Sequence, residues 1–76
     1  MFREHDRAVL TADVPRERLV AGDVGTVVHI RKNGEAYEVE FMTLNGKTVA
    51  VTTLLASQVR PIEPHEIAHA RALLEA

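Results

Sequence analysis

Val27-Val28-His29-Ile30-Arg31-Lys32-Asn33-Gly34-Glu35-Ala36-Tyr37-Glu38-Val39 is the stretch that decides the fold. Two runs rich in β-branched and aromatic residues flank Asn33-Gly34. Asn-Gly is the strongest short hairpin signal, because both residues tolerate positive φ. A two-residue loop there places Ile30 opposite Tyr37, Val28 opposite Val39 and Thr26 opposite Phe41. Side chains alternate along a strand, so these six share one face and form a core. The other face pairs His29 with Glu38 and Lys32 with Glu35, and is wet.

Working outward, a second turn lies at Asn45-Gly46. A two-residue loop there would pair Phe41 with Ala50 and leave Val49 and Val51 wet. A three-residue loop, Leu44-Asn45-Gly46, pairs Phe41 with Val49 and Val39 with Val51. Thr43-Leu44-Asn45-Gly46-Lys47 resembles the first turn of ubiquitin, a type I turn closed by a glycine bulge. The bulged loop is the expected one, since burying each valine side chain is worth roughly 1.5–3 kcal/mol. Strands are expected at about 6–12, 24–31, 36–43 and 47–54, with a short fifth near 58–62. Residues 13–23 form a long polar connection anchored by Leu19 and Val20, and Ala56-Ser57-Gln58 a tight helical turn.

This order of a long loop, two tight hairpins, a short turn and a fifth strand predicts a mainly β fold. It is the connectivity of a five-stranded SH3-like small barrel spanning residues 1–62, whose closure would remove the sheet edges. A C-terminal α-helix is expected within 63–76, where Ile67, Ala70, Leu73 and Leu74 make an apolar stripe behind Pro64. A helix this short is marginal alone. Its stripe must therefore dock on the barrel or on a partner.

The chain has 76 residues, enough for one domain with a thin core. Apolar residues make up 46% and charged residues 26%, a globular rather than disordered balance. With no Cys, disulfides and thiolate chemistry are excluded. No apolar run reaches the ~18 residues of a membrane span, and the N-terminus lacks a signal-peptide core, so the expected compartment is the cytoplasm.

The segment Leu19-Val20-Ala21-Gly22-Asp23-Val24-Gly25-Thr26-Val27-Val28-His29, followed by Glu35-Ala36-Tyr37-Glu38-Val39-Glu40-Phe41, resembles a family of small bacterial proteins, domain-of-unknown-function family 4926. The resemblance extends through Asp6-Arg7-Ala8-Val9-Leu10, Gly46-Lys47-Thr48-Val49-Ala50-Val51-Thr52 and Val59-Arg60-Pro61. It implies an SH3-like barrel and no known activity. Members are similar to products encoded beside toxin-like genes, which implies an antitoxin or immunity role.

Candidate chemistry is sparse. His65-Glu66-Ile67-Ala68-His69 matches the zinc-protease pattern H-E-x-x-H, in which two His one helical turn apart aim at one metal. A third ligand is missing where that pattern needs it: Ala72 replaces the motif glycine, and a continuing helix turns Glu75 away. No metal site is expected, and His65 and His69 are at most an adventitious pair. Gly22-Asp23-Val24-Gly25-Thr26-Val27 resembles the KOW-type turn of transcription-elongation and ribosomal proteins, although a plain loop-to-strand turn explains it as well. Residues 1–32 hold six bases and five acids, and residues 33–76 three bases and six acids, so no basic stripe marks a nucleic-acid module. Glu35, Glu38 and Glu40 form an acidic strip suited to a basic partner. No nucleophile set is recognisable, and neither catalysis nor a cofactor is expected.

The expected function is a non-catalytic protein-interaction module, antitoxin- or immunity-like, that occludes a partner protein. Its expected binding residues are Arg16 and Arg18 on the long loop, His29, Glu38 and Glu40 on the wet face, and Ile67, Leu73 and Leu74 on the tail. The rival readings are a KOW-like nucleic-acid-binding barrel and the structural subunit of a homodimer with an exchanged tail.

Overall fold

The computed structural model describes residues 2–73. Five antiparallel strands form one sheet: β1 (Arg7–Leu10), β2 (Val24–Arg31), β3 (Ala36–Met42), β4 (Thr48–Leu55) and β5 (Val59–Pro61). Their spatial order is β4-β3-β2-β1-β5. All five lie where hairpin signals and alternation place them.

Register is where the structure departs from simple alternation. From the first loop, Arg31 pairs with Ala36, Ile30 with Tyr37 and His29 with Glu38, as expected. A bulge then makes Val28 the extra residue, so Val27 pairs with Val39 and Thr26 with Glu40. Val27 and Gly25, not Val28 and Thr26, therefore enter the core. The reason sits at Gly25. A Cβ there would lie 2.6 Å from Val39 Cγ1, 2.8 Å from the Glu40 carbonyl oxygen and 2.9 Å from Phe41 Cε2. Threonine could not take that place. The slip brings the one residue without a side chain against the valine and the ring.

The second hairpin closes through the expected three-residue loop. The Thr43 N–H donates to the Lys47 carbonyl at 2.8 Å, the Gly46 N–H donates to Thr43 at 2.9 Å, and Gly46 has φ 91°. Met42 then faces Thr48. A further one-residue slip at Val49 pairs Phe41 with Ala50, Glu40 with Val51 and Val39 with Thr52. The expected pairs Phe41–Val49 and Val39–Val51 do not form. Ala50, Thr52 and Leu54 point inward, Val49 stays half-buried against the core, and Val51 is 53% exposed.

The core joins Ala8 and Leu10 of β1, Val27, Tyr37, Val39, Phe41, Leu54 and Val59. Leu19 seals it from the long loop, while Val20 is largely exposed. Phe2 closes the other side, its ring 5.0 Å edge-on from Tyr37.

The sheet is curled but does not close into the expected barrel. Five flat strands would hold the β4 and β5 edges about 19 Å apart at about 4.8 Å per step. Only the 3-10 turn Ala56–Gln58 links them, and it spans about 8 Å at ~2 Å per residue. The sheet must bend to bring its ends together. The Gln58 side-chain oxygen accepts the Leu55 N–H at 2.8 Å, and the Gln58 carbonyl accepts the Thr11 N–H at 2.8 Å, which fixes that corner. Closure fails because β5 has three residues against eight in β4, and it ends on Pro61, which has no N–H to donate.

The expected C-terminal helix is also absent: residues 62–73 contain no helix. A helix this short is marginal without a docked face, and here two ion pairs tie the segment down at separate points instead. Arg60 grips the Glu66 carboxylate through Nη1 at 3.1 Å and Nη2 at 2.6 Å. Arg71 donates from Nε and Nη2 to Asp23 at 2.9 and 2.6 Å. The result is a strap that runs from β5 to the start of β2 across β1. Val9 points away from the core between Arg60 and Val24, yet it is only 4% exposed.

Candidate interaction surface

The outer face of the sheet is built by alternation. On β3 it carries Glu38 and Glu40, and beside them on β4 it carries Thr53 and Val51. The acidic strip is partly neutralised. Glu38 is opposite His29 in register, but its carboxylate is taken by Arg31, whose Nε donates at 2.6 Å and whose Nη2 makes a second contact. His29 instead faces Glu4, with Nδ1 4.0 Å from the carboxylate. Glu40 accepts a hydrogen bond from the Thr48 hydroxyl at 2.6 Å.

β4 forms the edge beside these residues. Its sequence, Thr48-Val49-Ala50-Val51-Thr52-Thr53-Leu54-Leu55, holds no charge and no proline. Among the described residues, no backbone hydrogen bond outside the sheet ladder uses Thr48–Leu54. Val51, Leu55 and the adjoining Met42 are exposed. Edge strands usually carry Lys, Pro or a covering element. Sequence reading places β4 correctly but treats it as an internal barrel strand, so it misses this surface; the uncharged run of eight was the available signal.

The long loop and the strap meet elsewhere. Arg16 is exposed on the 3-10 turn Pro15–Glu17, and Arg18 caps that turn in the left-handed region at φ 61°. The Arg18 carbonyl accepts Arg71 Nη2 at 3.1 Å. Asp23 also accepts the Val20 N–H at 2.9 Å. A cleft of about 270 Å³ lies here, lined by Asp13, Pro15, Arg18, Leu19, Val20 and Arg71. Burial pushes the Asp23 carboxyl up, but the hydrogen bonds from Arg71 and Val20, with the charge of Arg71, outweigh it and leave the group below its usual range. At the other anchor, the Arg60 hydrogen bond and then the Glu63 N–H bring Glu66 down to about 2. The partnership of Asp23 with Arg71, 48 residues apart, had no signal in the sequence.

The structure thus brings Arg18 to the strap but keeps His29, Glu38 and Glu40 on a separate face. Ile67 is 92% exposed, and with no helix it belongs to no stripe. Leu73 is half-buried and Leu74 lies outside the described residues. His65 and His69 are exposed, and among the described residues no group of three or more His, Cys, Asp or Glu could hold a metal ion.

A family model described as "Domain of unknown function (DUF4926)" matches residues 4–61. This chain belongs to the DUF4926 family. No curated protein and no solved structure matches it. The DUF4926 match opens just before β1 and closes with β5, so it takes in the whole sheet, the β4 edge and Asp23, and leaves the strap beyond its end. No helix among the described residues is long and apolar enough to cross a membrane.

Proposed function

We propose that this DUF4926 protein is a non-catalytic protein-interaction module of the cytoplasm, antitoxin- or immunity-like, that binds a partner protein and occludes its working surface. The observation that supports this reading is the β4 edge. In this uncharged strand, Thr48–Leu54 offer backbone donors and acceptors that nothing outside the ladder uses, with Val51 and Leu55 exposed alongside. An extended segment of a partner would add a strand there, with main-chain bonds supplying affinity and the alternate side chains specificity. Glu40 beside Val51 and Glu38 beside Thr53 favour a partner that presents apolar and basic residues together.

The test is reconstitution. The wild-type chain is used to pull down proteins from its native cell, and the captured protein is purified and titrated against wild type and Val51→Lys. A saturable complex that weakens at least about tenfold in the variant supports the reading, since a charge at the centre of the edge opposes strand addition. Equal binding by both proteins, or capture of nucleic acid with a steep salt dependence, counts against it.

A further inference from the structure

The Arg71 contact has the form of a recognition site rather than of a surface ion pair. The guanidinium meets Asp23 side-on, with Nε on one carboxylate oxygen at 2.9 Å and Nη2 on the other at 2.6 Å. Nη2 also reaches the Arg18 carbonyl at 3.1 Å. The acceptors are also held by contacts that do not involve Arg71. Asp23 is fixed by the Val20 N–H at 2.9 Å, and its own N–H donates to the Val20 carbonyl at 3.0 Å. The Arg18 carbonyl is set by the Pro15–Glu17 turn, where the Arg18 N–H donates to Pro15 at 3.0 Å. Pro15, Leu19 and Val20 give the cleft apolar walls. Two parallel N–H donors matched to a carboxylate, with a third acceptor alongside, select arginine over lysine.

We propose that Asp23, the Arg18 carbonyl and the walls Pro15, Leu19 and Val20 form a docking site for an arginine side chain on an extended segment of a partner protein, and that the chain's own Arg71 occupies this site as a displaceable internal ligand. The strap suits that role. Residues 62–72 are all exposed, so leaving the site uncovers little apolar surface on the strap itself. Arg60–Glu66 keeps the near end tethered, so the strap swings away rather than being lost. The site is separate from the β4 edge and does not rest on it.

A partner is favoured over a second copy of this chain. An exchanged strap would remake the same contacts and gain none, while giving up an internal ligand whose effective concentration is in the ~mM range. A foreign segment can add contacts to Val20 and Val24, which are 40% and 43% exposed beside the site.

The experiment uses the full-length chain and a capped peptide of residues 67–73, read by amide chemical shifts at Val20, Asp23 and Val24. Arg71→Ala, whose site is open, should bind the peptide saturably. Wild type should bind at least about tenfold more weakly, because the internal ligand competes. Replacing the peptide's arginine by lysine or alanine should weaken binding to the open site about fivefold or more. Asp23→Asn added to Arg71→Ala should abolish it. No binding to Arg71→Ala, or equal binding of the arginine and lysine peptides, overturns the proposal. The peptide substitutions decide the matter even if the Asp23 variant fails to fold. Sedimentation of wild type should show a monomer up to about 1 mM; a dimer that vanishes in Arg71→Ala would assign the site to a second copy and overturn the partner assignment.

Discussion

Two glycines three residues apart hold the entry to β2, and they do different work. Gly22 sits at φ 98° with open space around the position of a Cβ, so its need is conformational. Gly25 lies in β2, but a Cβ there would strike Val39, Phe41 and the Glu40 carbonyl. The KOW-like reading treats the pair as one turn, and no rule of spacing separates them, because the clash comes from a strand fourteen residues away. Gly25→Ala should cost about 1–3 kcal/mol by overpacking, measured by chemical denaturation. Gly22→Ala should cost on the order of 1 kcal/mol through backbone strain alone. Glu66 offers a second residue-scale test. Its carboxyl is held at about 2, against 4.5 for the free group. A depressed value stabilises the docked strap above the free value and releases it as pH falls towards about 2. In Arg60→Ala the Glu66 titration, followed by NMR, should move back up towards 4.5.

Among elements, β4 shows how far alternation reaches. The glycine-bulge loop at Leu44-Asn45-Gly46 was legible and is present, yet the slip at Val49 turns the next residues over. Leu54 becomes 2% exposed and Leu55 59% exposed. Neighbours of identical chemistry should therefore respond differently. Leu54→Ala should lose about 2–5 kcal/mol, and Leu55→Ala should stay within about 0.5 kcal/mol. Equal losses in a denaturant titration would place the register wrongly. The strap makes the same point for helices. Ala68, Ala70, Ala72 and Leu73 favour a helix. Local preference is worth only a few tenths of a kcal/mol per residue, however, and the segment instead runs without helix between its ion pairs to Arg60 and Asp23.

At the scale of the whole molecule, the open edge is the feature with consequences. Val51→Lys places a charge on an already exposed position. It should leave stability within about 0.5 kcal/mol while weakening partner binding at least about tenfold, which separates a binding defect from a folding defect. A loss of stability of several kcal/mol would mean that β4 is buried in the isolated protein and is not an edge.

Strand positions, the two hairpin loops and the mainly β class follow from the sequence alone, because Asn-Gly turns and period-two patterns are local signals a few residues long. Three matters were decided only by tertiary structure. The bulge at Val28 depends on Gly25 being the residue that fits against Val39 and Phe41, and the slip at Val49 appears only in the pairing of β3 with β4. The open sheet depends on the mismatch between three residues of β5 and eight of β4. The course of the strap depends on Asp23 holding Arg71, 48 residues away, which no local rule connects to it. Each rests on contacts between segments far apart in the chain, which a pattern a few residues long does not record.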